Sequence, residues 1–394
     1  MNIERFRQSS AGRLVKGGQG NAAYWTFVPN PLPPEVPLDD MALLLALSDA
    51  DRAIGELAGL GRNIPNPQLL IRPFIRREAV LSSRIEGTQT GIAELYAYEA
   101  GQLPLPGMEA RAFQDDAREV LNYVEALEYG LERRNTLPIS LRFIKELHHR
   151  LLRGVRGERS YPGEFRSTQN WIGGATLNSA VFVPPPPAEM HGLLDNLEKY
   201  IHMPHDYPPL VRLAIVHQQF EAIHPFVDGN GRTGRLLISL LLVHWNLLPI
   251  PVLYLSEFFE RNRQTYYDLL RSVSEEGAWR EWTLFFLQGV AEQARDAVER
   301  AKRLQDLQVE WHRRLREARA AASLLTLADS LFHSPFLTIP ETQRLMNVQT
   351  YHTARAAVQK LVNVGILEQR GNDKYGKVYV GRELLELIQH SIEV

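Results

Sequence analysis

Apolar residues recur at helical spacing along most of the chain. The spacing predicts a helix from Leu38 to Leu60, and a second from about Pro73 to Gly87. Pro73 suits a first helical turn, and Gly87 suits a C-terminal stop. Two further helical patterns fill residues 108–153, with a break near Asn135 to Pro138. Others cover 188–202 and 208–222, and a long amphipathic pattern spans about Trp279 to Arg319. The most apolar run, Leu236 to Leu248, is interrupted by Ser239, His244 and Asn246 and is too short to span a bilayer. It predicts a buried core helix. Residues 1 to about 35 read as loop and end in PNPLPPEVP, and Gly101 to Gly107 reads as a linker. The stretch Phe165 to Pro187 combines β-branched and aromatic residues with a Gly-Gly pair and four consecutive prolines. It predicts a β-hairpin whose second strand stops at Pro184.

The last segment, about 321–394, has its own pattern: a helix, a short helix through IPETQRLMNV, a turn, a helix through TYHTARAAVQKLVNVGILE, and the hairpin EQRGNDKYGKVYV. That order is the pattern of a winged helix. Thr350 to Val364 would be its recognition helix, with Arg355 and Lys360 and with His352 nearby. Arg370, Lys374 and Lys377 fall on the wing. Such a module serves either DNA or protein contact.

Composition narrows the function classes. At 394 residues the chain has room for two or three domains. A hydrophobic content of 44% and a charged content of 23% are ordinary for a soluble globular protein. With 44 basic and 46 acidic residues, a net charge of −2 argues against a strongly basic nucleic-acid coat. The absence of cysteine excludes disulfides, thiolate metal sites and cysteine nucleophiles. The N-terminus lacks the apolar core of a signal peptide, so the expectation is a cytoplasmic protein without a membrane span.

The chemistry concentrates in His224-Pro225-Phe226-Val227-Asp228-Gly229-Asn230-Gly231-Arg232-Thr233-Gly234-Arg235, between two apolar helical patterns. Gly229 and Gly231 permit backbone conformations closed to other residues. Successive amide N–H groups there can form an anion nest, to which the following helix adds its positive end. Arg232 and Arg235 bring two permanently charged forks suited to phosphate oxygens. Asp228 offers a hard oxygen ligand for Mg²⁺ shared with phosphates. His224 stands where a base could take a proton from an incoming hydroxyl. A phosphate cradle, a metal ligand and a base within twelve residues describe a nucleotidyl or phosphoryl transfer site.

The same stretch resembles the Fic motif, HxFx(D/E)GNGRxxR, at every fixed position. The resemblance implies a mainly α-helical Fic fold with a β-hairpin flap, here followed by the C-terminal winged helix, and it covers about residues 35–300. It implies that His224 is the general base and that Asp228 holds Mg²⁺. Gly229, Asn230 and Gly231 would bind phosphates, with Thr233 and Gly234 in the same nucleotide-binding turn. Arg232 would hold the β- and γ-phosphates, assisted by Arg235. NWIGG and FVPPPP resemble the flap, whose exposed edge would align an extended target segment whatever its sequence. LYLSEFFERNRQTYYDLL resembles the segment closing over adenine, with Tyr254 and Asn262 as its candidate contacts.

The helix from about Pro73 ends in Ser82-Ser83-Arg84-Ile85-Glu86-Gly87, which resembles the Fic inhibitory motif (S/T)xxxE(G/N). Ser82 and Glu86 share a helix face. In that family the glutamate pairs with the second motif arginine, here Arg235, and blocks productive placement of the ATP γ-phosphate. The expected division is an N-terminal helical region (1–107) with an inhibitory helix (73–87), a Fic core (108–300) with the flap (165–187), a helical linker (301–320) and a winged helix (321–394). The expected activity is AMP transfer from ATP to a Ser, Thr or Tyr hydroxyl of a protein, the chain itself included. Implied partners are ATP, a target docked on the flap, DNA at the winged helix, and a second copy of the chain as a homodimer. Two alternatives stay open: a winged-helix transcription regulator with a nucleotide-sensing Fic core, and a Fic enzyme in which Glu86 positions water to remove AMP.

Overall fold

The computed structural model describes residues 1–18, 23–63, 67–99, 110–155, 160–204, 207–370 and 377–389. The chain opens with helix α1 (Ile3–Arg7), then strands β1 (Gly12–Gly17) and β2 (Tyr24–Pro29). Helices α2 (Met41–Asn63), α3 (Gln68–Ile85), α4 (Ile92–Glu99), α5 (Ala110–Arg133) and α6 (Leu141–Leu151) follow. Past an irregular segment come α7 (Pro187–His202), α8 (Pro209–Ile223), α9 (Asn230–His244), α10 (Ser256–Arg261), α11 (Arg263–Glu276) and α12 (Trp279–Glu317).

α8 and α9 are apolar on nearly every side, so both are buried almost throughout, as such helices must be. The short connection between them is His224 to Gly229. The chain's two most enclosed helices therefore hold the motif turn at its two ends.

The N-terminal reading is corrected here. Residues 1–35 are not loop throughout: β1 and β2 pair antiparallel, with Gly12 opposite Pro29 and Gly17 opposite Tyr24. Phe6, Phe27 and Phe182 form a separate apolar cluster, with ring centroids 5.3 to 6.1 Å apart. The Phe27 N–H also donates to the Val183 carbonyl at 2.9 Å. The N-terminal hairpin thus braces the segment expected to act as flap.

That segment is not a two-stranded hairpin. It closes through one antiparallel bridge between Ile172 and Phe182, with a short 3₁₀ turn at Leu177–Ser179. Gly173 and Gly174 both take left-handed backbone (φ 68° and 74°), and Pro184–Pro187 have no N–H to donate. Neither end can extend a ladder.

α3 also begins earlier than expected, and Pro73 lies inside it rather than in its first turn. Gly87, at φ 104°, does take the left-handed stop after the helix. α12 is continuous for 39 residues, so the expected linker is the far part of one helix, with Leu304, Trp311 and Leu315 buried.

The C-terminal module comprises α13 (Ala322–Ser330), β3 (Phe336–Thr338), α14 (Ile339–Met346), α15 (Tyr351–Asn363), β4 (Glu368–Arg370), β5 (Val378–Val380) and α16 (Arg382–Gln389). Its antiparallel sheet has the order β3-β5-β4. Thr350 caps α15, accepting from the Thr353 N–H at 3.3 Å, and His352 and Arg355 are exposed on it. The linker at Gly101 to Gly107 and Lys374 lie outside the described residues. Among those residues no helix is long and apolar enough to cross a membrane.

Candidate active site

α8 ends at Ile223, and His224 follows in left-handed backbone (φ 49°, ψ 60°). A histidine there is strained, a cost that recurs at functional positions. Its carbonyl is held by Arg166 Nε at 2.9 Å and Asn170 Nδ2 at 3.3 Å. Its Nδ1 lies 3.3 Å from the Glu221 carbonyl, the contact that leaves Nε2 as the basic nitrogen. Burial holds the ring down at about 4; the Glu221 carbonyl opposes this and the Arg166 charge adds to it. At neutral pH the imidazole is uncharged and able to accept a proton.

The turn after His224 is clasped from within. Asn230 Oδ1 accepts the Phe226 N–H at 2.8 Å, and its Nδ2 donates to the Phe226 carbonyl at 2.9 Å. The Asn230 side chain is therefore occupied in shaping the turn, which leaves its backbone for any phosphate. His148 stacks on Phe226 at 3.7 Å and donates from Nε2 to the Asp228 carbonyl at 2.9 Å, while its Nδ1 accepts the Gly163 N–H. Gly229, at φ 77°, starts α9. The Asp228 carboxylate is half exposed and accepts the Gly229 N–H at 2.6 Å.

Two motif positions are engaged within the protein. Thr233 Oγ1 is buried and donates to the Gly229 carbonyl at 2.8 Å. Gly234 packs against α8, where an added Cβ would lie 2.4 Å from Glu221 Oε1. Both positions take part in helix packing.

Each motif arginine is met by a glutamate from an earlier helix or its end. Arg232 pairs with Glu119 of α5 at 3.1 Å, both buried, and its Nη2 lies 4.0 Å from Asp228. Arg235 is fully enclosed. Its Nε donates to Ser82 Oγ at 2.8 Å, and its Nη2 donates to the Ser82 carbonyl at 3.0 Å and to Glu86 Oε1 at 2.6 Å. Burial alone would weaken the Arg235 charge, but the adjacent Glu86 carboxylate more than restores it. Burial likewise disfavours the Glu86 charge, and Arg235 overcomes this to hold the carboxyl below its usual range. The carboxylate sits over Gly231, where a Cβ would approach Glu86 Oε1 to 2.4 Å.

Glu86, His224, Gly231 and Arg235 line one cavity of about 520 Å³. Trp171, Ile172, Gly173, Val181 and Phe182 of the pinched segment form one wall, and Tyr266, Tyr267 and Leu270 of α11 face them. Tyr254 and Asn262 are elsewhere. The Tyr254 hydroxyl donates to the Pro251 carbonyl at 2.8 Å in a separate small cavity beside Arg77 and Glu78, and Asn262 Nδ2 donates to the Phe258 carbonyl at 2.9 Å. The run RNRQTYYDLL does reach the site, through Tyr266 and Tyr267 four and five residues beyond Asn262. Sequence reasoning also missed Glu221, whose buried Oε1 has no hydrogen-bond partner and whose carboxyl burial pushes up to about 8.

Behind Ser82 lies Glu78, fully buried, accepting from Tyr123 at 2.9 Å and Ser256 at 2.6 Å. Burial pushes this carboxyl up to about 7 from 4.5, against those hydrogen bonds. Its stabilising contribution is complete below the unfolded value and is lost as pH rises through the folded one, a change of roughly 3 kcal/mol. Thermal unfolding of Glu78→Gln between pH 5 and 8 should therefore show a flatter decline than wild type. Parallel curves would contradict the assignment.

Comparison with known proteins agrees with this geometry. Residues 44–132 match the Fic/DOC family N-terminal model, and residues 138–242 match the Fic/DOC family model. The chain is 30% identical over 206 residues to the protein adenylyltransferase Fic of Aedes aegypti, covering 51% of this chain and 37% of that protein. It is 30% identical over 194 residues to that of Drosophila virilis, covering 48% and 36%. The chain thus spans little more than a third of the length of these relatives. Among solved structures, a Fic family protein from Desulfovibrio desulfuricans G20 shares the fold at a TM-score of 0.56 with 20% identity, covering 89% of this chain and 98% of that one. A Fic domain containing signaling protein from Bacteroides thetaiotaomicron aligns at 0.52 with 20% identity, covering 65% and 96%. Residues 44–132 and 138–242 are thus similar to the N-terminal region and the Fic domain of the Fic/DOC family.

Proposed function

We propose that this protein transfers AMP from ATP to a Ser, Thr or Tyr hydroxyl of a target protein, itself included, and that Glu86 restrains the reaction. The observation carrying this reading is the Glu86–Arg235 contact at 2.6 Å inside the cavity that His224 also lines. The named activity of the relatives supports the chemistry. In the proposed reaction the target oxygen bonds to the α-phosphorus, and the bond from that phosphorus to the β-bridging oxygen breaks. Pyrophosphate leaves, and the hydroxyl proton passes to His224, which is uncharged at neutral pH. The N-terminal end of α9 faces the phosphates with its free N–H groups and positive dipole. Trp171, Val181 and Tyr267 line the apolar side of the cavity and are themselves partly open to solvent.

Asp228 fits a Mg²⁺ ion, because its carboxylate is half exposed beside the α9 terminus and such an ion needs only one or two carboxylates when phosphates supply other oxygens. When bound, that ion would neutralise phosphate charge. Asp228→Ala should weaken the Mg²⁺ response, and Arg232→Ala should weaken or misplace the triphosphate, each lowering turnover roughly 10²–10³-fold. Wild-type rates for both at limiting Mg²⁺ would move the triphosphate site elsewhere.

A second reading has one observation in its favour. Glu86 is held ionised in the same cavity as His224, a placement suited to orienting water for AMP removal. Incubation with labelled ATP, UTP, GTP and CDP-choline, followed by adduct mapping, tests the nucleotide choice. Labelling from ATP alone supports the proposal, and labelling only from another nucleotide overturns it.

A further inference from the structure

Two buried guanidinium groups receive the C-terminal end of α16. The carbonyls of Ile388 and Gln389 accept from Arg77 Nη1 at 3.2 and 3.0 Å, and that of Leu387 accepts from Arg300 Nη1. The last carbonyls of a helix lack donors within it and carry the negative end of its dipole, so cations there are well placed. Both cations are also locally balanced: Arg77 pairs with Glu257 at 2.6 Å and Arg300 with Asp296 at 3.0 Å. The seat is thus built for a helix end.

Arg77 belongs to α3, the helix that ends at Glu86. The next residue, Glu78, is bonded to Tyr123. Ser82 Oγ accepts from Arg235, and Arg235 holds Glu86. One helix therefore carries both contacts, Arg77 to the end of the C-terminal module and Ser82 to the motif arginine. Arg77 and Glu86 are nine residues apart, about two and a half helical turns, so they grip roughly opposite sides of α3.

We infer that the seating of α16 on Arg77 sets the strength of the Glu86 restraint, making the C-terminal module a regulatory input to the Fic site. The inference rests on the transfer reading above. Glu86 reaches Arg235 only while the last turn of α3 keeps its place, and the Arg77 seat fixes that place from the far side. Drawing α16 off the seat removes one support of α3, beside those from α5 and α10, so Glu86 disengages more often and Arg235 is freed.

The test uses the full chain and labelled ATP, with wild type, Arg77→Ala, Glu86→Gly and the double variant. Arg77→Ala should raise self-labelling roughly two- to thirty-fold, the range of a partly buried charge at a helix end. The double variant should label no more than Glu86→Gly alone. Unchanged labelling in Arg77→Ala, or an equal rise in both backgrounds, would overturn the inference. Arg77→Lys guards against loss of folding, since it keeps the charge without the fork, and an intermediate rise is expected; wild-type labelling there would also overturn the idea. Amide hydrogen exchange at residues 80–86 should quicken in both Arg77 variants and not in α9. This readout needs no transfer activity, so it still decides the role of the seat if Glu86→Gly shows no label, a result that would defeat only the AMP reading. Unchanged exchange would refute the seat.

Discussion

Glycine in place of Glu86 should raise AMP transfer and self-modification by roughly 10²-fold, the scale of one preorganised electrostatic contact. The reason is competition for one guanidinium. Nη2 of Arg235 bonds the Glu86 carboxylate at 2.6 Å, and the same fork cannot also serve a phosphate in good geometry. The substitution is mild for the fold, because Glu86 is the C-cap of α3 and Gly87 already turns the chain. Ser82→Ala should act in the same direction more weakly, since Ser82 Oγ holds only Nε. If Glu86 serves AMP removal instead, Glu86→Gly would abolish release of AMP from a premodified target. Measuring transfer and release together in this one variant separates the readings. Flat or falling transfer would mean that Glu86 is not the inhibitor.

If the ring acts on the target hydroxyl as proposed, loss of the His224 imidazole should lower transfer by roughly 10²–10⁴-fold while ATP binding persists. The position adds a complication, since residue 224 sits at φ 49°. His224→Ala would remove the base and also strain the backbone. His224→Asn removes the base with a residue that tolerates left-handed backbone. Both should be equally inactive, and near-normal turnover in either would sink the assignment. The pH profile gives a second check. With the ring held down at about 4, this group is unprotonated across the neutral range, and the rate should fall on its account only as pH drops towards 4.

The site was legible from residue order to the extent that its chemistry is consecutive. His224, Asp228, Gly231 and Arg235 stand close in the chain, and α8 and α9 are long enough and apolar enough to be read as the helices bracketing them. Ser82 and Glu86 were legible because four-residue spacing puts them on one face. What sequence order could not convey was pairing across elements. Glu119 looks like any polar position on α5 until α5 packs beside Arg232. Glu221 reads as one polar residue in an apolar helix, and only the close approach of α8 to Gly234 buries it. The aromatic run alone does not fix helix phase, so it does not distinguish Tyr254 from Tyr266 and Tyr267, which line the cavity.

Errors in the elements have similar causes. Propensity favours Pro73 in a first turn, yet packing of α3 carries the helix through it. The N-terminal strands are short and carry no strict apolar–polar alternation, so the sequence reads as loop there. The flap's aromatic and β-branched residues suggested strands, but positive-φ glycines and successive prolines permit only one bridge.

The most direct test compares Glu86→Gly with Glu86→Gly/His224→Asn, each given labelled ATP and Mg²⁺, with intact-protein and peptide mass spectrometry. The account predicts a covalent AMP adduct on a Ser, Thr or Tyr side chain of the first protein. It predicts essentially none on the second, although both bind ATP alike. Equal adduct on both, or none on Glu86→Gly under conditions where it binds ATP, would contradict it.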